Sequence, residues 1–203
     1  IEANLFQSIA HVESLLGKQN RDKGLEFELN YHFPLPDYVV IDPTRLRQIL
    51  LNLTSNAMKF TTVGKISIEV RCEDEKLLIC VKDTGIGMAK DEQKELFSAF
   101  YQADSSTSRK YGGTGLGLNI SKSLARKLDG DIDVESEVGS GTAFTLKLGL
   151  FTTEKTRWLT SFEQVNQSQI AQEQPLHTQD ELNGDILLAE DHSDNSRLIK
   201  RIL

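Results

Sequence analysis

The sequence predicts an α+β domain with a mixed, largely antiparallel sheet. Two strand-like runs, 65–72 and 77–83, are joined by a polar four-residue turn, which is typical of a hairpin. Helical patterns lie before, between and after such runs instead of alternating regularly with them. The chain has 203 residues, of which 38% are hydrophobic and 26% charged, so it can hold one globular domain and further segments.

The elements follow in order along the chain. Residues 4–22 have apolar side chains at helical spacing, and 25–29 alternate as in a half-buried strand. Asp42 and Pro43 predict a helix start, because Asp caps a first turn and Pro fits the first helical position. That helix should continue to Phe60. The later elements expected are helices near 90–97 and 115–128, and strands near 131–136 and 142–149.

Charge and apolar patterning exclude some classes of function. The net charge of −7 argues against non-specific nucleic-acid binding. No apolar run approaches the roughly 18–20 residues that span a bilayer, so we expect no direct membrane insertion. Cys72 and Cys80 lie in apolar stretches without metal-ligand spacing, which suits reduced thiols and a cytoplasmic location. The first residues carry neither Met nor a signal pattern, as expected for a piece of a longer protein.

Polar residues follow one side of the predicted helix 43–60. Asn52, Asn56 and Lys59 form a strip beside its apolar stripe, because successive residues advance by about 100°. Amide oxygens can ligate a hard cation and Lys can neutralise phosphate. A plain polar surface is the alternative.

Two glycine-containing motifs suggest ligand contacts. Asp83-x-Gly85-x-Gly87 ends a strand, where the carboxylate can accept from an amine; an ordinary turn is the alternative. The glycine-rich run 112–118 opens a helix, and amides there can bind phosphate; a glycine hinge without ligand is the alternative. Taken alone, 139–142 is a hairpin turn.

The order and spacing of these motifs carry a family resemblance. Asn56-Ala57-Met58-Lys59-Phe60-Thr61, Asp83-x-Gly85-x-Gly87, Phe97-x-x-Phe100 and Gly113-Thr114-Gly115-Leu116-Gly117-Leu118 resemble the N, G1, F and G2 boxes of the histidine-kinase ATPase family. The resemblance covers about residues 25–150. It implies a Bergerat-type two-layer α/β sandwich, with the sheet behind three helices and ATP under a mobile lid.

The resemblance also implies roles for matching residues. Asn56 would bind Mg²⁺ with support from Asn52, and Lys59 would meet phosphate. Asp83 would hold the adenine amine, with Thr142 helping through a water. The remaining nucleotide contacts implied are Phe60, Gly85, Ile86, Gly87, Phe100, Leu116 and Leu118, together with Arg109, Lys110, Gly113, Thr114, Gly115 and Gly117 in or beside a lid at about 101–114. The sequence departs from the family in having Gln102 where many relatives carry Arg, and Ala99 where Pro is common.

The C-terminal part has a different character. Residues 152–184 are rich in Gln, Ser and Thr, which predicts a flexible linker, with Trp158 and Phe162 as large apolar exceptions that can dock back onto the domain. The run 186–191 resembles the first strand of a receiver domain, in which Glu190 and Asp191 would bind Mg²⁺; a plain strand and turn is the alternative. The expected organisation is therefore a helical lead-in from a dimerisation/phosphotransfer segment (1–24), the ATP-binding domain (25–151), the linker (152–184) and a truncated receiver start (185–203).

One position separates the enzyme classes that share this fold. The gyrase-type, mismatch-repair and chaperone ATPases resemble one another in placing a Glu base four residues before the magnesium-binding Asn. Asn52 occupies that position and cannot take up a proton. This favours transfer of the γ-phosphoryl group of Mg-ATP to a histidine on a separate helical domain, because a neutral imidazole needs no strong base.

The resemblance implies several partners. They are ATP, histidine-bearing dimerisation helices of a homodimeric parent, and a receiver domain. The acceptor histidine is expected elsewhere, because the family's His-acidic context is lacking at all four histidines: His11, His32, His177 and His192. The alternative functions are a nucleotide-binding scaffold without phosphotransfer and a gyrase- or chaperone-like ATPase.

Overall fold

A computed structural model describes residues 1–98 and 116–166 of the chain. The strands are β1 (Glu2–Asn4), β2 (Glu26–His32), β3 (Leu35–Pro36), β4 (Tyr38–Val40), β5 (Lys65–Glu73), β6 (Lys76–Asp83), β7 (Gly130–Glu137), β8 (Gly141–Gly149) and β9 (Trp158–Leu159). The helices are α1 (Leu5–Asp22), α2 (Pro43–Phe60), α3 (Lys90–Glu95) and α4 (Gly117–Lys127).

A five-stranded sheet in the order β2-β5-β6-β8-β7 forms the centre of the domain. β2 runs parallel to β5, and every other neighbouring pair in this sheet is antiparallel. The predicted α+β fold with a mixed, largely antiparallel sheet is therefore confirmed. β1 pairs with β4 and β3 with β9 in two separate ribbons.

The start of α2 follows from the local sequence. Asp42 caps the helix, and its Oδ1 accepts from the backbone amides of Thr44 (2.9 Å) and Arg45 (3.1 Å). Pro43 occupies the first helical position, where a missing N–H costs nothing. The apolar stripe of the helix is buried, comprising Leu46, Ile49, Leu50, Leu53 and Ala57.

Strand alternation places one face of the sheet in the core. On β5 and β6 the inward residues include Ile66, Ile68 and Ile79, all fully buried. α1, α2 and α4 each contribute buried apolar residues to the same core cluster. This is the arrangement of helices over one sheet face that the resemblance implied.

Helix α1 belongs to this core, which differs from the predicted division after residue 24. Leu5, Ile9 and Val12 are fully buried in the common core cluster, and β1 pairs with β4. An amphipathic pattern shows that a helix has a partner but not which partner, so the sequence could not assign α1 to the domain.

Residues 151–166 also pack on the domain, although composition predicted a flexible linker from 152. β9 pairs with β3, and Leu159 and Val165 are buried. The ring of Phe162 lies 5.9 Å from that of Tyr31. A few well-placed apolar residues produce this docking within a polar segment. The predicted linker from 167 and the predicted receiver start, including Glu190 and Asp191, lie outside the described residues.

Candidate functional site

Three polar side chains form a row across the sheet. Asp83 of β6 is opposite Thr142 of β8, which is in turn opposite Ser136 of β7. Directly paired residues point to the same face, so the three side chains lie on the helix-covered face at one end of the strands. Asp83 is 4% exposed and Thr142 is 8% exposed. We call these three residues the polar row.

The Asp83 carboxylate is held as a hydrogen-bond acceptor. Its Oδ1 accepts from the backbone amide of Gly85 at 2.8 Å. Burial raises the pKa of Asp83, while hydrogen bonds from the backbone of Gly85 and Thr142 act in the opposite direction. A buried acceptor with fixed geometry can recognise an amine, and this is the role predicted for Asp83.

The glycines after Asp83 are required by the protein's own backbone. A Cβ on Gly85 would lie 2.3 Å from the carbonyl oxygen of Phe60. Gly87 has a φ of +66°, and a Cβ there would lie 1.9 Å from the carbonyl oxygen of Glu137. The loop is tied down on both sides, because Ile86 donates to Phe60 O and Gly139 donates to Ile86 O. The sequence motif suggested ligand approach as the reason for these glycines, whereas the need for close backbone packing could be seen only in the fold.

The polar strip of α2 faces the start of α4. Asn52 donates from Nδ2 to Ser121 Oγ at 2.8 Å. Gly117, the first residue of α4, lies so close that a Cβ on it would be 2.5 Å from Asn52 Oδ1. Asn56 and Lys59 are half-buried on the same helix. Asn52 thus links two helices, a contact across 69 residues that spacing could not show.

The polar strip of helix α2 carries the positively charged side chain of Lys59 and the side-chain amide oxygens of Asn52 and Asn56. Burial lowers the pKa of Lys59, whose Nζ lies 4.9 Å from the ring centroid of Phe60. The described residues contain no cluster of three or more His, Cys, Asp or Glu side chains fit for a metal. A divalent cation here would therefore depend on the amide oxygens of Asn52 and Asn56 and on oxygens of a bound ligand, a donor set that fits Mg²⁺.

Two further residues of α4 contact Phe97, which follows α3. Asn119 Nδ2 donates to the carbonyl oxygen of Phe97 at 2.8 Å. Lys122 Nζ lies 4.2 Å from the Phe97 ring centroid and donates to Ile132 O. Neither Asn119 nor Lys122 could be predicted as a contact residue from the sequence, because neither stands in a glycine- or Asn-rich motif.

A family comparison decides the class of the domain. The profile of the family described as "Histidine kinase-, DNA gyrase B-, and HSP90-like ATPase" matches residues 41–151, more than half of the chain. The chain belongs to this family. The polar row and α2 are therefore parts of a histidine kinase-type ATPase domain.

Relatives and solved structures agree with this assignment. The chain is 45% identical over 142 residues to the aerobic respiration control sensor protein ArcB of Escherichia coli, covering 69% of this chain and 18% of that protein. It is 42% identical over 151 residues to the signal transduction histidine-protein kinase BarA of the same organism, covering 72% and 16%. The chain thus spans less than a fifth of each relative's length.

The fold has counterparts among solved histidine kinases. One is the crystal structure of full-length ShkA in complex with AMPPNP, with a TM-score of 0.68 and 32% sequence identity. The match covers 75% of this chain and 31% of the ShkA chain. The catalytic domain of histidine kinase ThkA matches 73% of this chain and 94% of its own, with a TM-score of 0.63 and 27% identity.

The remaining expected site residues of the ATPase domain divide into two groups. Leu116 precedes the first turn of α4, and Leu118 packs against the core. The others lie outside the described residues: Phe100, Arg109, Lys110, Gly113, Thr114 and Gly115. Within the described ranges, none of the helices has the length and hydropathy of a membrane span.

Proposed function

We propose that this domain binds Mg-ATP and transfers the γ-phosphoryl group to a histidine on a separate helical domain of its parent protein. The observation that carries the proposal is Asn52, which stands where hydrolases of this family place a Glu base. Its amide donates to Ser121 Oγ and has no capacity to remove a proton from water.

The base end of the proposed nucleotide site is the polar row. Asp83 would accept a hydrogen bond from the adenine amine, and Thr142 would assist through a water. Support comes from the burial of both side chains on one sheet face and from the AMPPNP complex of ShkA, which shares this fold. Ile86, exposed beside Asp83, would contact the base along the loop that Gly85 and Gly87 permit.

The phosphate end of the proposed site is α2 and the start of α4. Asn56, supported by Asn52, would hold Mg²⁺, and Lys59 would contact phosphate. When bound, the metal would neutralise phosphate charge. Arg109, Lys110 and the glycines of 113–117 would complete this end as the lid.

The proposed reaction needs positioning more than base catalysis. A neutral imidazole nitrogen attacks the γ-phosphorus, the bond to the β–γ bridging oxygen breaks, and ADP leaves with that oxygen. An attacking water would have to lose a proton, and Asn52 cannot take it. General-base help is typically worth about 10²–10⁴-fold in rate, so hydrolysis should be the minor reaction.

The acceptor and the regulator would belong to the longer parent. We propose dimerisation helices that bear the histidine, a homodimeric cytoplasmic kinase, and a receiver domain of which Glu190 and Asp191 would be the first magnesium ligands. The similarity to ArcB, a sensor protein, and to BarA, a signal transduction histidine-protein kinase, supports this class of parent.

A paired assay tests the proposal. The chain is incubated with radiolabelled Mg-ATP, with and without an added helical domain bearing the histidine, and both hydrolysis and transfer are measured. We expect transfer with slow hydrolysis, and loss of both in Asp83→Asn at low ATP. Brisk hydrolysis that disappears in Asp83→Asn, without transfer, would assign the chain to the hydrolases. ATP binding with neither reaction would support the scaffold alternative.

A further inference from the structure

Ser136 makes three hydrogen bonds at one oxygen. Its Oγ accepts from the backbone amide of Met88 at 2.8 Å and donates to the carbonyl oxygen of Gly141 at 2.9 Å. The third partner is Thr142 Oγ1, also at 2.9 Å. These three contacts use the full capacity of a serine hydroxyl, which has one proton and two lone pairs.

The direction of the bond between the two hydroxyls follows from this count. An amide N–H can only donate and a carbonyl oxygen can only accept, so the Ser136 proton is committed to Gly141. Thr142 must therefore donate its proton to Ser136. The Thr142 oxygen then presents only lone pairs to its surroundings, and Asp83 beside it is also an acceptor.

We propose that Ser136 is a positioning residue that sets the polarity of Thr142 and thereby selects a 6-amino purine nucleotide over a 6-oxo one. The proposal rests on the proposed function, which places the base against Asp83 and Thr142. Asp83 accepts directly from the amine of adenine, and a bridging water whose two protons are taken by Asp83 and Thr142 offers only lone pairs to the base. A 6-oxo group is itself an acceptor and meets no donor from the polar row.

A second set of bonds explains why Ser136 can hold this position. Gln93 of α3 donates from Nε2 to Met88 O at 3.2 Å and to Ser136 O at 2.8 Å. Met88 is therefore tied to Ser136 through both its amide and its carbonyl. These bonds join the loop that follows Asp83 to the end of β7 and keep the Ser136 oxygen within reach of Thr142.

The test compares ATP with inosine triphosphate, which has a 6-oxo group in place of the amine. Affinities of the full chain for both nucleotides are measured by titration calorimetry with Mg²⁺. The wild type should bind ATP at least about tenfold more tightly, the size of one or two hydrogen bonds. In Ser136→Ala the Thr142 hydroxyl is free to donate to the bridging water, which can then turn a proton toward the 6-oxo group, so the ratio of the two affinities should fall by about 3–10-fold.

Ser140→Ala is the matched control. Ser140 lies on the same hairpin, is exposed, and has its hydroxyl 3.5 Å from Glu137, away from the polar row. Its affinity ratio should equal that of the wild type. Equal weakening of both nucleotides by Ser136→Ala would show a merely structural role and would overturn the proposal.

A second variant covers the case in which Ser136→Ala does not fold. Thr142→Val keeps the shape of the side chain but removes the oxygen, so it should weaken ATP more than inosine triphosphate. An unchanged ratio in Thr142→Val would also overturn the proposal. The wild type can bind ATP, and Asp83→Asn can weaken that binding, while Ser136→Ala and Thr142→Val leave the ratio of the two affinities unchanged. In that case the positioning role of Ser136 fails and the proposed function stands. If the wild type binds neither nucleotide, the proposed function fails as well.

Discussion

At the scale of one residue, Asp83 is a buried charged group that destabilises the folded state. Its carboxylate is buried, and that burial raises its pKa, because the charged form loses hydration. The amide of Gly85 compensates only in part. The net rise in pKa means that the ionised carboxylate costs the folded domain stability, a cost that the proposed binding role would explain.

The variant Asp83→Asn separates these two effects. We expect ATP affinity to fall by about tenfold or more, because the amide presents a mismatched edge to the adenine amine. The free energy of unfolding without nucleotide should rise at neutral pH. Calorimetric titration and chemical denaturation measure the two quantities. Asp91→Asn, in an exposed position on α3, makes the same chemical change without burial. It should leave ATP affinity unchanged and, by removing a surface pair with Lys94, alter the free energy of unfolding by less than about 1 kcal/mol.

The same residue predicts a pH dependence. Its pKa is raised on folding from an ordinary value of 3.8, so the folded state holds the proton more tightly than the unfolded state. The destabilisation of the folded state by the ionised carboxylate is absent below the pKa of the unfolded state and complete above the pKa of the folded state. Denaturation of wild type and Asp83→Asn across the acid range should therefore show the variant's advantage growing as pH rises. An advantage that shrinks with rising pH would contradict the assignment.

At the scale of elements, the loop after β6 and the turn between β7 and β8 form one packed unit. Gly87 approaches Glu137. Gly141 has a φ of +102°, and a Cβ on it would lie 2.0 Å from the carbonyl oxygen of Asp83. The site therefore depends on backbones that meet closely. These contacts position Asp83 and Thr142 before any ligand arrives.

Two glycine variants isolate that close approach. Gly87 and Gly139 both have positive φ, at +66° and +81°, so alanine costs each about 1 kcal/mol of backbone strain. Gly139 has open space around its Cα, whereas Gly87 meets Glu137. Gly87→Ala should therefore destabilise the domain by about 1–3 kcal/mol more than Gly139→Ala. Equal losses of unfolding free energy would mean that the loop relaxes freely.

At the scale of the whole described domain, residues 151–157 meet the N-terminal part of the chain. Asp37 is 2% exposed and accepts from the Arg157 backbone at 2.9 Å and from its Nε at 2.8 Å. Thr153 donates to Glu2 on β1 at 2.6 Å, and Val40 donates to Phe151 O. Residues 151–166 thus close the domain against β1, β3 and β4.

Arg157→Ala should reveal how much this closure contributes. The buried Asp37 loses a charge-assisted bond, which typically costs about 1.5–3 kcal/mol. Arg71→Ala removes a surface pair with Glu73, in which both side chains are at least 40% exposed, and such pairs are worth about 0–1 kcal/mol. Urea denaturation of both variants measures the difference. Similar losses would show that the Asp37 pair behaves as a surface pair.

Local pattern was sufficient for the elements and for the order of the motifs. The Asp42-Pro43 start predicted α2 with its observed bounds, and the hairpin 65–83 was placed within one residue of each strand end. These features depend on neighbours in sequence, whose geometry is set by helix caps, turn residues and strand alternation. The motif order also predicted the family that the profile match shows.

Tertiary structure decided which residues meet. The sequence by itself determined the main helices, the hairpin strands, the α+β class and the family, because each rests on short-range periodicity or on a fixed spacing of motifs. Only the fold showed that α1 and residues 151–166 belong to the domain and that Asn52 bonds Ser121. The direction of the Ser136–Thr142 bond likewise required knowing all three partners of one oxygen. Such contacts join residues far apart in sequence, and neither composition nor periodicity records them.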